Sequence, residues 1–99
     1  MDKRYLVEQF EDEENSLRKE IFSGEEQIET AARKFQRIQD NAYEYALSQD
    51  ILDDEVKYRL ERNEAEFFEA KDKAIRLLES KQEELVEMQR THRNRLETL

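Results

Sequence analysis

The sequence predicts an all-α fold, an antiparallel two-helix hairpin of coiled-coil type, on three observations. The 99 residues include one glycine, no proline and 43% charged residues, a composition in which helix is the only favoured regular structure. Apolar residues recur at steps of three and four on both sides of an acidic midpoint, "SQDILDDE" at 48–55, the spacing of a helix that packs lengthwise on another. Opposite charges in the two halves match when the chain folds back at that midpoint. With 36% apolar residues the chain is too polar for a thick core, so a thin helical assembly is expected. Disordered chains can be as charged, but they lack apolar periodicity.

The whole chain, 1–99, reads as one hairpin domain. Its first arm spans about 3–47, its turn about 48–53 and its second arm about 54–97. In the first arm the stripe runs Val7, Phe10, Leu17, Ile21, Gly24, Ile28, Ala31, Phe35, Ile38, Ala42 and Tyr45, interrupted by Glu14. Gly24 is the local ambiguity. Ser23 followed by Glu26 matches a capping box, which would end one helix near Phe22 and start another. The stripe keeps its phase across Gly24, which favours a small seam residue inside a continuous helix, at a cost of about 1 kcal/mol relative to alanine.

In the second arm the stripe runs Val56, Leu60, Asn63, Phe67, Ala70, Ala74, Leu78, Lys81, Leu85, Met88, His92, Leu96 and Leu99. Its mean spacing of about 3.6 is that of a straight helix. Asn63 either fixes the register as a polar seam residue or reaches solvent. Asp50 and Asp53 both suit helix N-caps, and Asp53, Asp54 and Glu55 put negative charge at the positive end of a new helix. The stop signal for the first arm is poorer, with no Gly or Asn after it and only Ser48 and Asp50 weakening it.

Charge decides for reversal. Folding back near residue 50 brings together residues whose numbers total about 101. It sets Glu8 against Arg93, Glu11 against Arg90, Arg18 against Glu83, Glu20 against Lys81, Glu25 against Arg76, Glu29 against Lys73, Arg37 against Glu64, Asp40 against Arg62 and Glu44 against Lys57. Glu14 against Glu87 is the exception. Each exposed pair is worth a few tenths of a kcal/mol, so together they choose register and direction.

The same composition excludes much chemistry. Without cysteine there is no disulfide, thiolate metal site or thiol catalysis. One histidine, His92, cannot build a two-histidine metal site or a Ser-His-Asp arrangement, and it is expected in a structural or solvent-reaching role near Phe10. The run Glu11 to Glu14 reads as a solvated face pairing with Arg90, Arg93 and Arg95. One glycine cannot make a phosphate loop. The net charge of -9 disfavours nucleic acid. No catalytic, metal or cofactor site is therefore expected, and the protein reads as non-enzymatic. No stretch is long and apolar enough to span a membrane, and no apolar signal region follows the start. A cytoplasmic protein is expected, one that leaves the cell, if at all, beside its partner.

A single seam leaves apolar residues over. Phe22 and Tyr43 share one stripe beside the first seam, Phe68, Ile75 and Leu96 another on the second arm, and Ile51, Tyr58 and Val86 add exposed area. Two helices cannot cover these, so the hairpin is expected to complete a larger helical bundle with a protein partner. Phe22, Tyr43, Tyr58, Phe68 and Ile75 are the expected anchors. The same features fit a self-assembling homodimeric coiled coil or a coiled-coil part of another secretion apparatus.

The C-terminal stretch "LLESKQEELVEMQRTHRNRLETL", 77–99, resembles the charged, leucine-spaced helix of small accessory proteins encoded beside LXG-domain toxins of the type VIIb secretion system. Those proteins are loosely akin to Esx or WXG-type hairpins, and the resemblance covers about half the chain. Phe68 and Asp72 are similar to an F-x-x-x-D pattern of a sister family, which implies that Asp72 joins the partner-binding residues. The chain departs from the family in having no W-x-G at the turn and no tyrosine-based export motif after the second arm. The resemblance implies a targeting factor or chaperone that binds the toxin's helical N-terminal domain alongside a second small helical protein.

Overall fold

In a computed structural model, which describes residues 3–99, the chain forms two helices and no strand among the described residues. Helix α1 spans Lys3–Ser48 and helix α2 spans Asp54–Glu97. The fold is all-α, an antiparallel two-helix hairpin. No helix among the described residues is long and apolar enough to cross a membrane. Helix α1 passes through Gly24 without a break.

The reversal is built from side-chain and backbone chemistry at 45–57. The Gln49 N–H donates to the Tyr45 carbonyl at 3.0 Å, the Asp50 N–H to Leu47 at 3.2 Å and the Ile51 N–H to Ala46 at 3.0 Å. The last two bonds are the pair that closes a helix C-terminus around a left-handed residue, and Asp50 is that residue, with φ at 54°. The expectation that Asp50 serves as an N-cap is thus corrected: it stops α1 instead of starting α2. Aspartate takes this conformation more readily than bulkier residues because its short side chain can bond locally. Asp53 does cap α2. Its Oδ1 accepts the Val56 N–H at 2.9 Å and its carbonyl accepts the Lys57 N–H at 2.9 Å, while Asp54 and Glu55 occupy the first turn, where negative charge offsets the helix dipole.

The helices pair in two compact units. The first joins the chain up to Glu26 with Arg76 onward, and the second is Gln27–Ile75. In the first, Leu6, Phe10, Leu17 and Ile21 are buried, and Gly24 lets Leu78 close in. A Cβ at residue 24 would stand 2.6 Å from Leu78 Cδ2. In the second, Ala46 and Leu60 are buried, and the rings of Phe35 and Phe67 stack at 4.2 Å between centroids, 3° from parallel. Burying a leucine-sized side chain contributes about 1.5–3 kcal/mol.

The seam of α1 departs from the predicted stripe. Ala32, Gln39 and Ala46 turn inward, while Ala31, Ile38 and Tyr45 are exposed. From Phe10 to Ala46 the inward positions advance about 3.6 residues per step, the period of a straight helix, whereas the predicted stripe followed a heptad repeat. A heptad repeat drifts about 20° per seven residues on such a helix, and in the second unit that drift has carried its Ala31, Ile38 and Tyr45 row out of the seam while Ile28, Phe35 and Ala42 stay inward. Gln39 is satisfied there because its Nε2 donates to the Leu60 carbonyl at 3.0 Å. In α2, Asn63, Ala70 and Leu99 are exposed, and Lys71 replaces Ala70 on the inward side. Asn63 thus reaches solvent.

The predicted charge ladder is also mostly replaced. Lys81 Nζ bonds Glu20 Oε1 at 2.8 Å across the first unit. Elsewhere the partners lie one turn along the same helix. Arg18 pairs with Glu14, Lys73 with Glu69, Arg62 with Glu66 and Arg90 with Glu87, and Glu29 pairs with Arg33. Neighbours on one helix are already held close, so such a pair costs less side-chain freedom than a reach to the other helix.

Candidate protein-binding faces

Two places concentrate features that the hairpin alone does not require. The first is polar and lies in the first unit. His92 is buried, and its ring stacks on Phe10 at 4.0 Å between centroids and 4° from parallel. Its Nδ1 meets Glu14 Oε2 at 2.9 Å and its Nε2 meets Glu13 Oε2 at 3.0 Å. Only a ring carrying both N–H groups donates to both carboxylates. The acidic run therefore does not serve only as a solvated face. Glu14 occupies an inward position and binds His92, a role that the predicted break in the stripe concealed. An open groove of about 660 Å³ runs past this cluster, lined by residues that include Val7, Phe10, Arg18, Arg93 and Leu96.

The second place is apolar and lies in the second unit. Phe68 is 47% exposed, yet its ring is held edge-on against Phe67, 6.0 Å between centroids and 63° apart. Phe67 in turn stacks on Phe35. An anchor braced in this way has less freedom to lose on binding. Ile75, 36% exposed, follows seven residues later on the same side of α2. Asp72 is exposed one turn beyond Phe68, on the same flank. Tyr43 is half-buried on the flank of α1, and exposed Leu47 stands four residues, one turn, further on.

Tyr58 is exposed but stands opposite the inward side of α2, so the structure does not group it with Phe68 and Ile75. Phe22 is exposed within the first unit. Leu96, expected among the outward residues, is half-buried. The outward residues that the sequence reading placed in the seam, Ile38 and Tyr45, were concealed by the heptad fit. A fit to 3.6 residues per turn finds them. Comparison with family models, with curated proteins and with solved structures finds no match to this chain.

Proposed function

We propose that this chain is a non-enzymatic helical adaptor that lays the Tyr43, Phe68 and Ile75 side of its second unit, with Asp72 at its edge, against a long amphipathic helix of a protein partner. The observation that carries the reading is exposed apolar area beside a minimal core. Among the described residues, twelve large apolar residues are exposed and no large side chain is fully enclosed. Scattered surface hydrophobes are ordinary, but Phe68 and Ile75 share one flank, and Phe68 is braced by the Phe35 and Phe67 stack. Helix-in-groove recognition uses anchors spaced in this way.

The resemblance of 77–99 to accessory proteins of LXG toxins names the partner class: the helical N-terminal domain of such a toxin, bound with a second small helical protein and targeted for type VII secretion. Phe22 and Tyr58 are further anchors in this reading. The test is co-expression with that domain and affinity capture on it. Phe68→Glu with Ile75→Glu should abolish co-purification while helicity is kept, and Glu83→Ala should leave it unchanged. Undiminished capture of the double variant would overturn the reading.

A further inference from the structure

The heptad stripe that leaves the seam in the second unit forms a face of its own. Ala31, Ile38 and Tyr45 are exposed, Ile38 by 64% and Tyr45 by 63%. Seven residues fall about 20° short of two turns, so the three line up nearly along the axis of α1. Lys34 and Asn41 stand between them on the same side. No acidic residue occurs among these five, in a chain with 26 Asp and Glu against 17 Lys and Arg. The face is separated from Tyr43 and Leu47 by the inward positions Gln39, Ala42 and Ala46.

We propose that this face binds a second copy of the chain, α1 against α1 in antiparallel sense, with a two-fold axis beside Ile38. Charge is the first argument. Two copies at -9 each repel wherever acidic surfaces meet, and this stripe is a place where they meet none. Self-complementarity is the second. A two-fold interface presents the same patch from both sides, and antiparallel pairing about Ile38 matches residues whose numbers total about 76. Ile38 then meets Ile38, Ala31 meets Tyr45 at both ends, small against large, and Lys34 falls beside Asn41 and Ala42 of the other copy instead of another charge.

Spacing is the third argument. A seven-residue repeat is the signal for a helix pair that winds together, and Ala31, Ile38 and Tyr45 keep that repeat on the outward side of α1 while Ile28, Phe35 and Ala42 keep it on the inward side. A dimer formed here leaves Tyr43, Phe68 and Ile75 free, so it does not depend on the adaptor reading.

The chain has no cysteine, so single-cysteine variants of the full chain give an unambiguous test. Ile38→Cys should oxidise to a covalent dimer at least about tenfold faster than Gln36→Cys, which is on another side of α1. Ala31→Cys should link to Tyr45→Cys in a mixture but not to itself. Sedimentation equilibrium of the unmodified chain should give a dimer, and Ile38→Glu should weaken it about tenfold or more. A monomer at high concentration, equal oxidation of Ile38→Cys and Gln36→Cys, or self-linking of Ala31→Cys would each overturn the proposal. Should Ile38→Glu lose helicity, the oxidation rates decide alone. A chain that is monomeric, but whose Ile38→Glu variant loses capture by the toxin domain, assigns the stripe to that partner and overturns the homodimer.

Discussion

The two units of this hairpin are made from the same residue types and use them differently. The first holds four of the six buried apolar residues among the described residues, Leu6, Phe10, Leu17 and Ile21. It also carries polar bonds between its helices: Lys81 to Glu20, Gln82 to Glu25, and His92 to Glu13 and Glu14. The second buries Ala46 and Leu60 and sends Ile38, Tyr45, Leu47, Ile51, Tyr58, Phe68 and Ile75 outward. Its helices are joined by the Gln39 bond to the Leu60 carbonyl, while its ion pairs Glu29–Arg33, Glu55–Arg59, Arg62–Glu66 and Glu69–Lys73 each run along one helix. Apolar area spent inward stabilises the chain by itself, and area left outward stabilises it only when something else covers it. Under the proposed function, the contrast makes the first unit the clasp and the second the binding half.

The strongest way to break that contrast is to truncate one aromatic in each unit. Phe10→Ala removes a buried ring together with its stack on His92, and should cost about 3 kcal/mol. Phe68→Ala, at a residue nearly half exposed, should cost under about 1 kcal/mol in the isolated chain. Urea unfolding followed by helical circular dichroism measures both. Partner capture should rank the two in reverse once Phe10→Ala is assayed under conditions where it remains folded. Equal stability losses would mean that the second unit already buries what it needs.

A smaller effect sharpens the comparison at the turn, which belongs to the second unit. Asp53→Ala removes the carboxylate that accepts the Val56 N–H and should cost about 1 kcal/mol. Asp50→Val forces a β-branched residue to the left-handed conformation and should cost about as much. Asp50→Gly should be neutral or slightly stabilising, since glycine adopts that conformation freely but gains freedom when unfolded. Amide exchange distinguishes local from global loosening. In the first two variants, protection should fall in Gln27–Ile75 more than in the first unit. A uniform fall would show that the units open together.

How far these features were legible in the sequence follows from the range of the forces involved. Helix and reversal were readable, because composition and the acidic midpoint point one way; charge matching pointed to the antiparallel sense, yet Arg18, Glu29, Arg62, Lys73 and Arg90 take partners on their own helix. The Asp53 cap was readable for the same local reason. The Asp50 stop was hidden because aspartate suits both an N-cap and a left-handed C-terminal residue, and only the path of the chain chooses between them. The seam in the second unit was misread because Ala31 and Ala32, or Tyr45 and Ala46, are adjacent residues that both fit a three-four pattern. An error of about 0.1 residue per step is invisible over two turns and moves a whole stripe over five. The approach of His92 to Phe10 was readable, but its carboxylate partners escaped because a glutamate on an apolar stripe looks like an interruption until its partner is seen.

The smallest predicted effect concerns the ion pair that crosses between the helices of the first unit. The hydrogen bond from Lys81 to the Glu20 carboxylate raises the lysine's pKa above its ordinary value of 10.5; desolvation opposes this, and the charges of Glu20 and Glu84 add to it. A raised pKa in the folded state means that folding favours the proton. The pair's contribution is therefore complete below the ordinary value and is lost as the pH climbs through the folded one. The window lies above about 10.5, and because the pair is open to solvent the loss of stability there is slight. The sharper readout is the lysine itself. In Glu20→Gln the Lys81 titration midpoint, followed by side-chain NMR, should move down toward the ordinary value, while His92 should keep its contacts with Glu13 and Glu14. If the midpoint stays where it was, Glu20 is not what holds the proton, and the cross-helix pair contributes nothing to the difference between the two units.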